Sequence, residues 1–189
     1  MNGYSLPRFK LLKIKKEFIP EWVVVTQLQL DRSNLVTNNE LLRRIRYIFD
    51  FSDSKMIAVF ALADYKVTRE QISDWLKNDD DPLVQKCGDT QLAIFLNGLI
   101  IDKRGRKEGP QPELEQHINN NIIFKKLKIA LDLKADDVLE ILQLANLRIS
   151  KHELSAFFRR PDHKHYRNCN DKVLLGFLQG AQLKYRADI

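Results

Sequence analysis

The sequence predicts an all-α protein built from two tandem repeats of about four short helices each. Residues 38–104 align without a gap with residues 120–186, and fourteen of the 67 aligned positions are identical. In both copies apolar residues recur at the three- and four-residue spacing of helices that face a core. Two copies of one unit should bury similar faces against each other, so we expect one pseudo-symmetric helical domain.

The first helix of each repeat is the most clearly marked. Thr37 and Glu40 have the spacing of a capping box, and Asn119 is placed to cap the matching helix. The core-facing residues that follow are Leu41, Leu42, Ile45, Ile48 and Phe49 in the first copy, and Ile123, Phe124, Leu127, Ala130 and Leu131 in the second. These stripes predict two amphipathic helices in equivalent positions.

Second and third helices follow in both copies. The second spans residues 53–63 and 135–145, and its many large apolar residues predict that it is deeply buried. The third begins at a capping box in each copy, at Thr68 and at Ser150.

The last helix of each repeat follows a polar loop. Asp89 and Asp171 stand where an N-cap is expected, because an aspartate side chain can accept a bond from a first-turn N–H. Gly98 and Gly180 lie inside these helices, where glycine costs about 1 kcal/mol against alanine. They therefore predict close helix packing, and contact between the repeats is one interpretation.

The predicted boundaries are residues 37–104 for the first repeat, 105–118 for a linker rich in glycine and proline, and 119–186 for the second repeat. Residues 1–36 form an atypical, irregular extension without a helical stripe. Two alternatives stay open for it, a disordered segment or a mis-called start upstream of the native protein.

Composition indicates an ordinary soluble protein. The chain has 189 residues, of which 44% are hydrophobic and 30% charged. Its two cysteines occupy equivalent positions and form no disulfide framework, which favours a reducing, cytoplasmic setting. No apolar run approaches the roughly 20 residues of a membrane span. We expect a cytoplasmic protein with no cofactor and no membrane association.

Positive charge is concentrated in the N-terminal extension and the second repeat. Residues 120–186 carry a net charge of +6, whereas residues 38–104 carry −1. Three basic positions recur opposite the apolar stripe of the first helix, namely Arg43, Arg44 and Arg46, then Lys125, Lys126 and Lys128. Such residues neutralise phosphates, so these two triplets are candidate nucleic-acid-binding surfaces. A solvated helix back explains them equally well.

Tyr47 and Ile129 lie among these charges, where pure solvent exposure does not account for an apolar residue. One interpretation is that they pack against the other repeat and the charges surround the contact. Another is that they bind a partner, which makes a protein–protein adaptor or a homo-oligomer the alternative function. An acidic protein is then the natural partner of the basic residues.

His163, Lys164 and Arg167 belong to a basic loop that is a further candidate for contact with nucleic acid. The loop also contains a second histidine and an acid, with Cys169 nearby, but the spacing matches no known zinc pattern. The corresponding loop of the first repeat has no histidine. We therefore expect no metal site.

No catalytic constellation is found. Cys87 and Cys169 precede predicted helix caps, a position that can lower a thiol pKa, yet no histidine accompanies Cys87 and small buried cysteines are common. Asp50 and Asp132 recur without a nearby base or nucleophile. We therefore predict a binding module, not an enzyme.

Several segments carry a family resemblance. In the first repeat they are residues 38–44 (NNELLRR), 75–77 (WLK) and 95–100 (FLNGLI), and in the second 118–122 (INNNI), 125–127 (KKL), 162–164 (DHK) and 166–169 (YRNC). With these segments in this order, residues 37–186 resemble the YehS-like family of small bacterial proteins, a family of unknown function. The resemblance implies a duplicated helical unit and a bacterial cytosolic setting, and it supplies no catalytic residues.

Overall fold

The computed structural model describes residues 36–109 and 113–186, which contain eight α-helices and no strand. The helices are α1 (Asn38–Ile48), α2 (Asp53–Leu62), α3 (Arg69–Leu76), α4 (Asp89–Arg104), α5 (Asn120–Ala130), α6 (Ala135–Leu144), α7 (Lys151–Phe157) and α8 (Asp171–Tyr185). The all-α prediction and its two four-helix repeats are confirmed. Our expectations for residues 1–35 lie outside the described residues. No described helix is long and apolar enough to cross a membrane.

Side-chain caps start most of these helices. Thr37 accepts from the Glu40 N–H at 3.1 Å, and Asn119 accepts from the Ile122 N–H at 3.0 Å, as predicted. The capping box at Thr37 is incomplete, because the Glu40 carboxylate binds Arg44 instead of reaching back to the helix start. The predicted capping boxes at the start of α3 and α7 are both present.

The prediction that two aspartates cap α4 and α8 is wrong by one residue. The N-caps are Gly88 and Asn170, and Asp89 and Asp171 are the first helical residues. The aspartate side chains are engaged elsewhere, since each accepts a hydrogen bond from an asparagine in the first helix of its own repeat.

One continuous hydrophobic core runs through both repeats. Helix α2 packs on α4 in the first repeat, and α6 packs on α8 in the second. Aromatic rings lie at the centre of each half, with Phe60 and Phe95 at 5.3 Å between centroids and Phe124 and Phe177 at 4.7 Å. Helix α4 packs on α5 and α8 packs on α1, so the repeats join through two equivalent contacts.

The helical glycines serve contacts inside each repeat, not between the repeats. A Cβ on Gly98 would overlap the carbonyl oxygen of Val59 in α2, and a Cβ on Gly180 would overlap that of Ile141 in α6. Close packing at these glycines is therefore confirmed, while the interpretation that it joins the two repeats is wrong. Each last helix touches the backbone of the second helix at this point.

Candidate functional site

A buried asparagine in the first helix of each repeat holds the loop that precedes the last helix. The Asn39 amide donates to the carbonyls of Trp75 at 2.9 Å and Gln85 at 2.7 Å, and its oxygen accepts from the Cys87 N–H at 2.9 Å. Asn121 makes the three equivalent bonds in the second repeat, at 2.8 to 3.0 Å. Both loops therefore follow the same backbone path, whatever their exposed side chains are.

The aspartates that begin α4 and α8 connect the two repeats. Asp89 accepts from the Ile118 N–H at 3.3 Å, and Asp171 accepts from the Val36 N–H at 3.4 Å. The side-chain amide of Asn38 also donates to Asp89, and this hydrogen bond is the main reason why the pKa of the Asp89 carboxyl is lowered. Each aspartate thus holds its own repeat and the residue that leads into the other one.

Two ion pairs also cross between the repeats. Arg104 pairs with Asp132, and Arg186 pairs with Asp50 at 3.1 Å. Both aspartates stand in turns with φ near +50°, a conformation that aspartate tolerates better than most residues. The Arg186 guanidinium lies 3.6 Å from the ring centroid of Tyr47. Tyr47 therefore contacts the end of the second repeat.

An open cleft of about 680 Å³ lies between these ion pairs. Its lining is Ile48, Phe49, Asp50, Lys103, Arg104, Ala130, Leu131, Asp132 and Tyr185. The Lys103 ammonium lies 5.0 Å from the ring centroid of Phe49. The cleft is therefore lined by apolar side chains and by charges that already pair with each other or with a ring.

Ile129 occupies the position equivalent to Tyr47 and is 42% exposed. Of these two equivalent residues, Tyr47 therefore contacts the other repeat, whereas Ile129 remains exposed.

The first basic triplet is neutralised inside its own repeat. The three ion pairs are Arg43–Asp79 at 3.0 Å, Arg44–Glu40 at 2.6 Å and Arg46–Asp53 at 2.7 Å. Arg43 also donates to the carbonyl of Lys77 at 2.5 Å, and Arg46 to that of Phe51 at 2.9 Å. These guanidiniums hold helix ends and loops of the first repeat in place.

The second repeat lacks all three of these carboxylates. Ile122, Ala135 and Pro161 stand at the positions equivalent to Glu40, Asp53 and Asp79. Lys125 is exposed and makes no ion pair with any described residue. The Lys128 ammonium lies 5.9 Å from the ring centroid of Phe158, at the end of α7.

Lys126 differs from the other two lysines of its triplet. It is buried and binds Glu115 at 2.7 Å and the Asn97 side chain at 2.5 Å. Because Asn97 belongs to α4, Lys126 ties the second repeat to the first and to the linker. It is a structural residue in this arrangement.

His163, Lys164 and Arg167 are exposed on the loop after α7. Lys128 contacts Phe158, which directly precedes that loop, and Lys125 lies one turn earlier on the same face of α5. The structure therefore brings two lysines of the second triplet and the basic loop to one region. Sequence reasoning left out Arg159 and Arg160, which begin this loop.

The two thiols are buried and unsuited to nucleophilic chemistry. Burial raises the pKa of Cys87 and of Cys169 to about 12, and a neighbouring aspartate adds to the shift in each case. Residues 36–109 and 113–186 also contain no group of three His, Cys, Asp or Glu side chains that could hold a metal ion.

The thiols should be inert in the folded protein. At pH 8 both are expected to react with a thiol-specific disulfide reagent far more slowly than in denaturant, because the thiolate is the reactive form and burial suppresses it. Absorbance of the released chromophore measures this, and unfolded protein should show two equivalents. A native thiol reacting at the unfolded rate would contradict the buried placement.

Comparison with known proteins places these features in one family. The model of a family described as "Protein of unknown function (DUF1456)" matches the chain twice, at residues 38–105 and 120–187. The chain is 45% identical over 144 residues to the "Uncharacterized protein YehS" of Escherichia coli (strain K12), which covers 76% of this chain and 92% of that protein. No solved structure matches the chain significantly. The chain therefore belongs to the DUF1456 family, whose unit it contains in two tandem copies.

Proposed function

We propose that this protein is a non-catalytic module that binds nucleic acid through one basic surface, on the second repeat. The basic surface consists of Lys125, Lys128, Arg159, Arg160, His163, Lys164 and Arg167. The observation that supports this proposal is the replacement of all three carboxylates of the first repeat by Ile122, Ala135 and Pro161. Lys125 and Lys128, whose counterparts are paired in the first repeat, are thereby left for an external anion.

Electrostatics favour a polyanion as the ligand. The three ion pairs of the first triplet cancel its charge locally, whereas the arginines and lysines of the basic surface make no ion pair with a described residue. Clustered unpaired cations raise the local potential and attract phosphates, and binding of phosphates releases condensed counterions. The net charge of +6 on residues 120–186 acts in the same direction.

The test is binding to fluorescent DNA and RNA oligonucleotides over a salt series, followed by anisotropy. Affinity should fall steeply as salt rises, and replacement of both Lys125 and Lys128 by alanine should weaken it. Loss of two phosphate contacts should reduce the slope of log K against log salt by about 1.4 to 1.8. Lys126 is left intact, because its buried bonds would confound the result.

The matched control replaces Lys66 and Lys86, two exposed lysines of the first repeat, by alanine. This variant has the same net charge as the test variant, so it should bind like the wild type if position matters. Equal losses of affinity in both variants would mean that binding depends on net charge and not on the position of the lysines. No binding at low salt would overturn the proposed function.

A protein-binding adaptor or homo-oligomer is the second candidate. Ile129 is 42% exposed, and Leu83 is 65% exposed on the acidic loop of the first repeat. Exposed apolar residues beside charges are typical of protein contacts. Light scattering after size exclusion distinguishes the candidates, since a strict monomer with salt-sensitive nucleic-acid binding favours the first.

A further inference from the structure

Three exposed histidines form a chain of imidazole rings that includes His163 of the basic surface. His152 in α7 and His165 in the following loop have ring centroids 6.3 Å apart, and His163 lies 5.6 Å from His165. The planes of these pairs meet at 66° and 44°, so no ring lies flat on its neighbour. All three residues are exposed at the surface.

The loop that carries two of these rings is anchored and internally bonded. The His163 N–H donates to the backbone carbonyl of Arg160 at 3.0 Å, and the Tyr166 N–H donates to the backbone carbonyl of His163 at 2.8 Å. The His165 N–H donates to Nδ1 of the His163 ring at 3.1 Å, which fixes the direction of that ring. At its end, the Arg167 carbonyl accepts from the buried Asn121 amide. The loop and the His163 ring are therefore held before any ligand arrives.

The fold itself does not require these rings. The equivalent loop of the first repeat follows the same path, with Gln85 in place of Arg167 as the acceptor of the asparagine bond. The stretch that replaces the ring-bearing one is Asp79, Asp80, Asp81, Pro82 and Leu83, and the whole loop has no histidine or arginine. One backbone thus carries acidic residues in one copy, and rings with cations in the other.

Rings and cations together define a class of ligand. Basic side chains contact phosphates, while flat rings stack on base faces, and this pairing is how proteins bind single strands. In a duplex the base faces are covered by their neighbours, so exposed rings gain nothing there. We propose that the ligand of the basic surface is single-stranded nucleic acid, with unpaired bases stacked on His163 and His165. This inference rests on the proposed function.

The test compares a single-stranded oligonucleotide, its duplex, and an abasic strand with the same phosphates, at one salt concentration. The wild type should bind the single strand about tenfold or more tightly than the abasic strand, because each stacked base contributes to affinity. A variant with His163→Ala and His165→Ala should lose this discrimination and bind the single strand no more tightly than the abasic strand. The control is His117→Ala, which removes an exposed ring in the linker region.

A variant that adds positive charge but removes both rings separates stacking from electrostatics. With His163→Lys and His165→Lys, overall affinity should be kept or raised, while the preference for bases over abasic sites should disappear. Equal binding of single strand, duplex and abasic strand by the wild type would overturn this inference and leave the proposed function standing. Absence of binding to all three would overturn both.

Discussion

Replacement of Gly180 by alanine is expected to destabilise the protein by about 3 kcal/mol or more, a large share of the roughly 5 to 15 kcal/mol by which folded domains are stable. The added Cβ would overlap the backbone carbonyl oxygen of Ile141, and a backbone atom cannot rotate away as a side chain does. Helix α8 would have to move off α6, which separates the buried surfaces around Phe177. Urea unfolding followed by circular dichroism measures the loss.

Gly176 supplies a control in the same helix. A Cβ there would come to 2.8 Å from Cδ2 of Leu147, the far end of a flexible side chain, which can move aside. Alanine is a better helix former than glycine by about 1 kcal/mol. We therefore expect Gly176→Ala to change stability by less than about 1 kcal/mol. If both variants had the same stability, close approach of α8 to α6 would not be the reason for Gly180.

The second large effect is expected for Asn39→Ala. This change removes three hydrogen bonds and leaves two carbonyls and the Cys87 N–H unpaired where Asn39 was buried. A buried polar group without a partner costs about 1 to 3 kcal/mol, so a total loss of about 3 kcal/mol is expected. Urea unfolding measures it, and Asn121→Ala should behave alike because its bonds are equivalent.

Asn168→Ala is the matched control for these variants. Asn168 is exposed and makes no side-chain hydrogen bond within the described part of the chain. Its replacement should change stability by less than about 0.5 kcal/mol. A loss for Asn39→Ala as small as that of the control would mean that water replaces the three bonds.

The sequence pattern predicts those parts of the fold that depend on interactions between neighbouring residues. The apolar stripe of α1 and the hydroxyl caps at Thr68 and Ser150 depend on residues within one turn, so the sequence contains the whole interaction. The role of Asp89 depends on Asn38 and Ile118, which are distant in the chain, and the cap was therefore misplaced. Which backbone a helical glycine approaches likewise depends on how the helices pack, so the partner helix of Gly98 and Gly180 was not predicted.

The sequence marks the recurring charges of the candidate site but not the difference between its two copies. Charge recurs at both triplets, so sequence comparison treated them as equivalent. The difference lies in carboxylates up to 36 positions away, such as Asp79 opposite Arg43, which only the structure pairs. The signal was present in the alignment, since Pro161 replaces Asp79 in the second copy. Its meaning depends on the contact between Asp79 and Arg43, which the sequence does not show.

The bonds between the repeats have the form of a symmetric dimer interface. Asp89 of the first repeat binds the N–H two residues before α5, and Asp171 of the second repeat binds the N–H two residues before α1. In the two ion pairs, likewise, the arginine of each repeat pairs with the aspartate of the other. In an isologous dimer, if residue i of one subunit contacts j of the other, then j also contacts i. The two repeats of this single chain are thus arranged like the subunits of an isologous homodimer. Because they belong to one chain, each half can change alone, which is how one surface can become basic while its counterpart stays neutral.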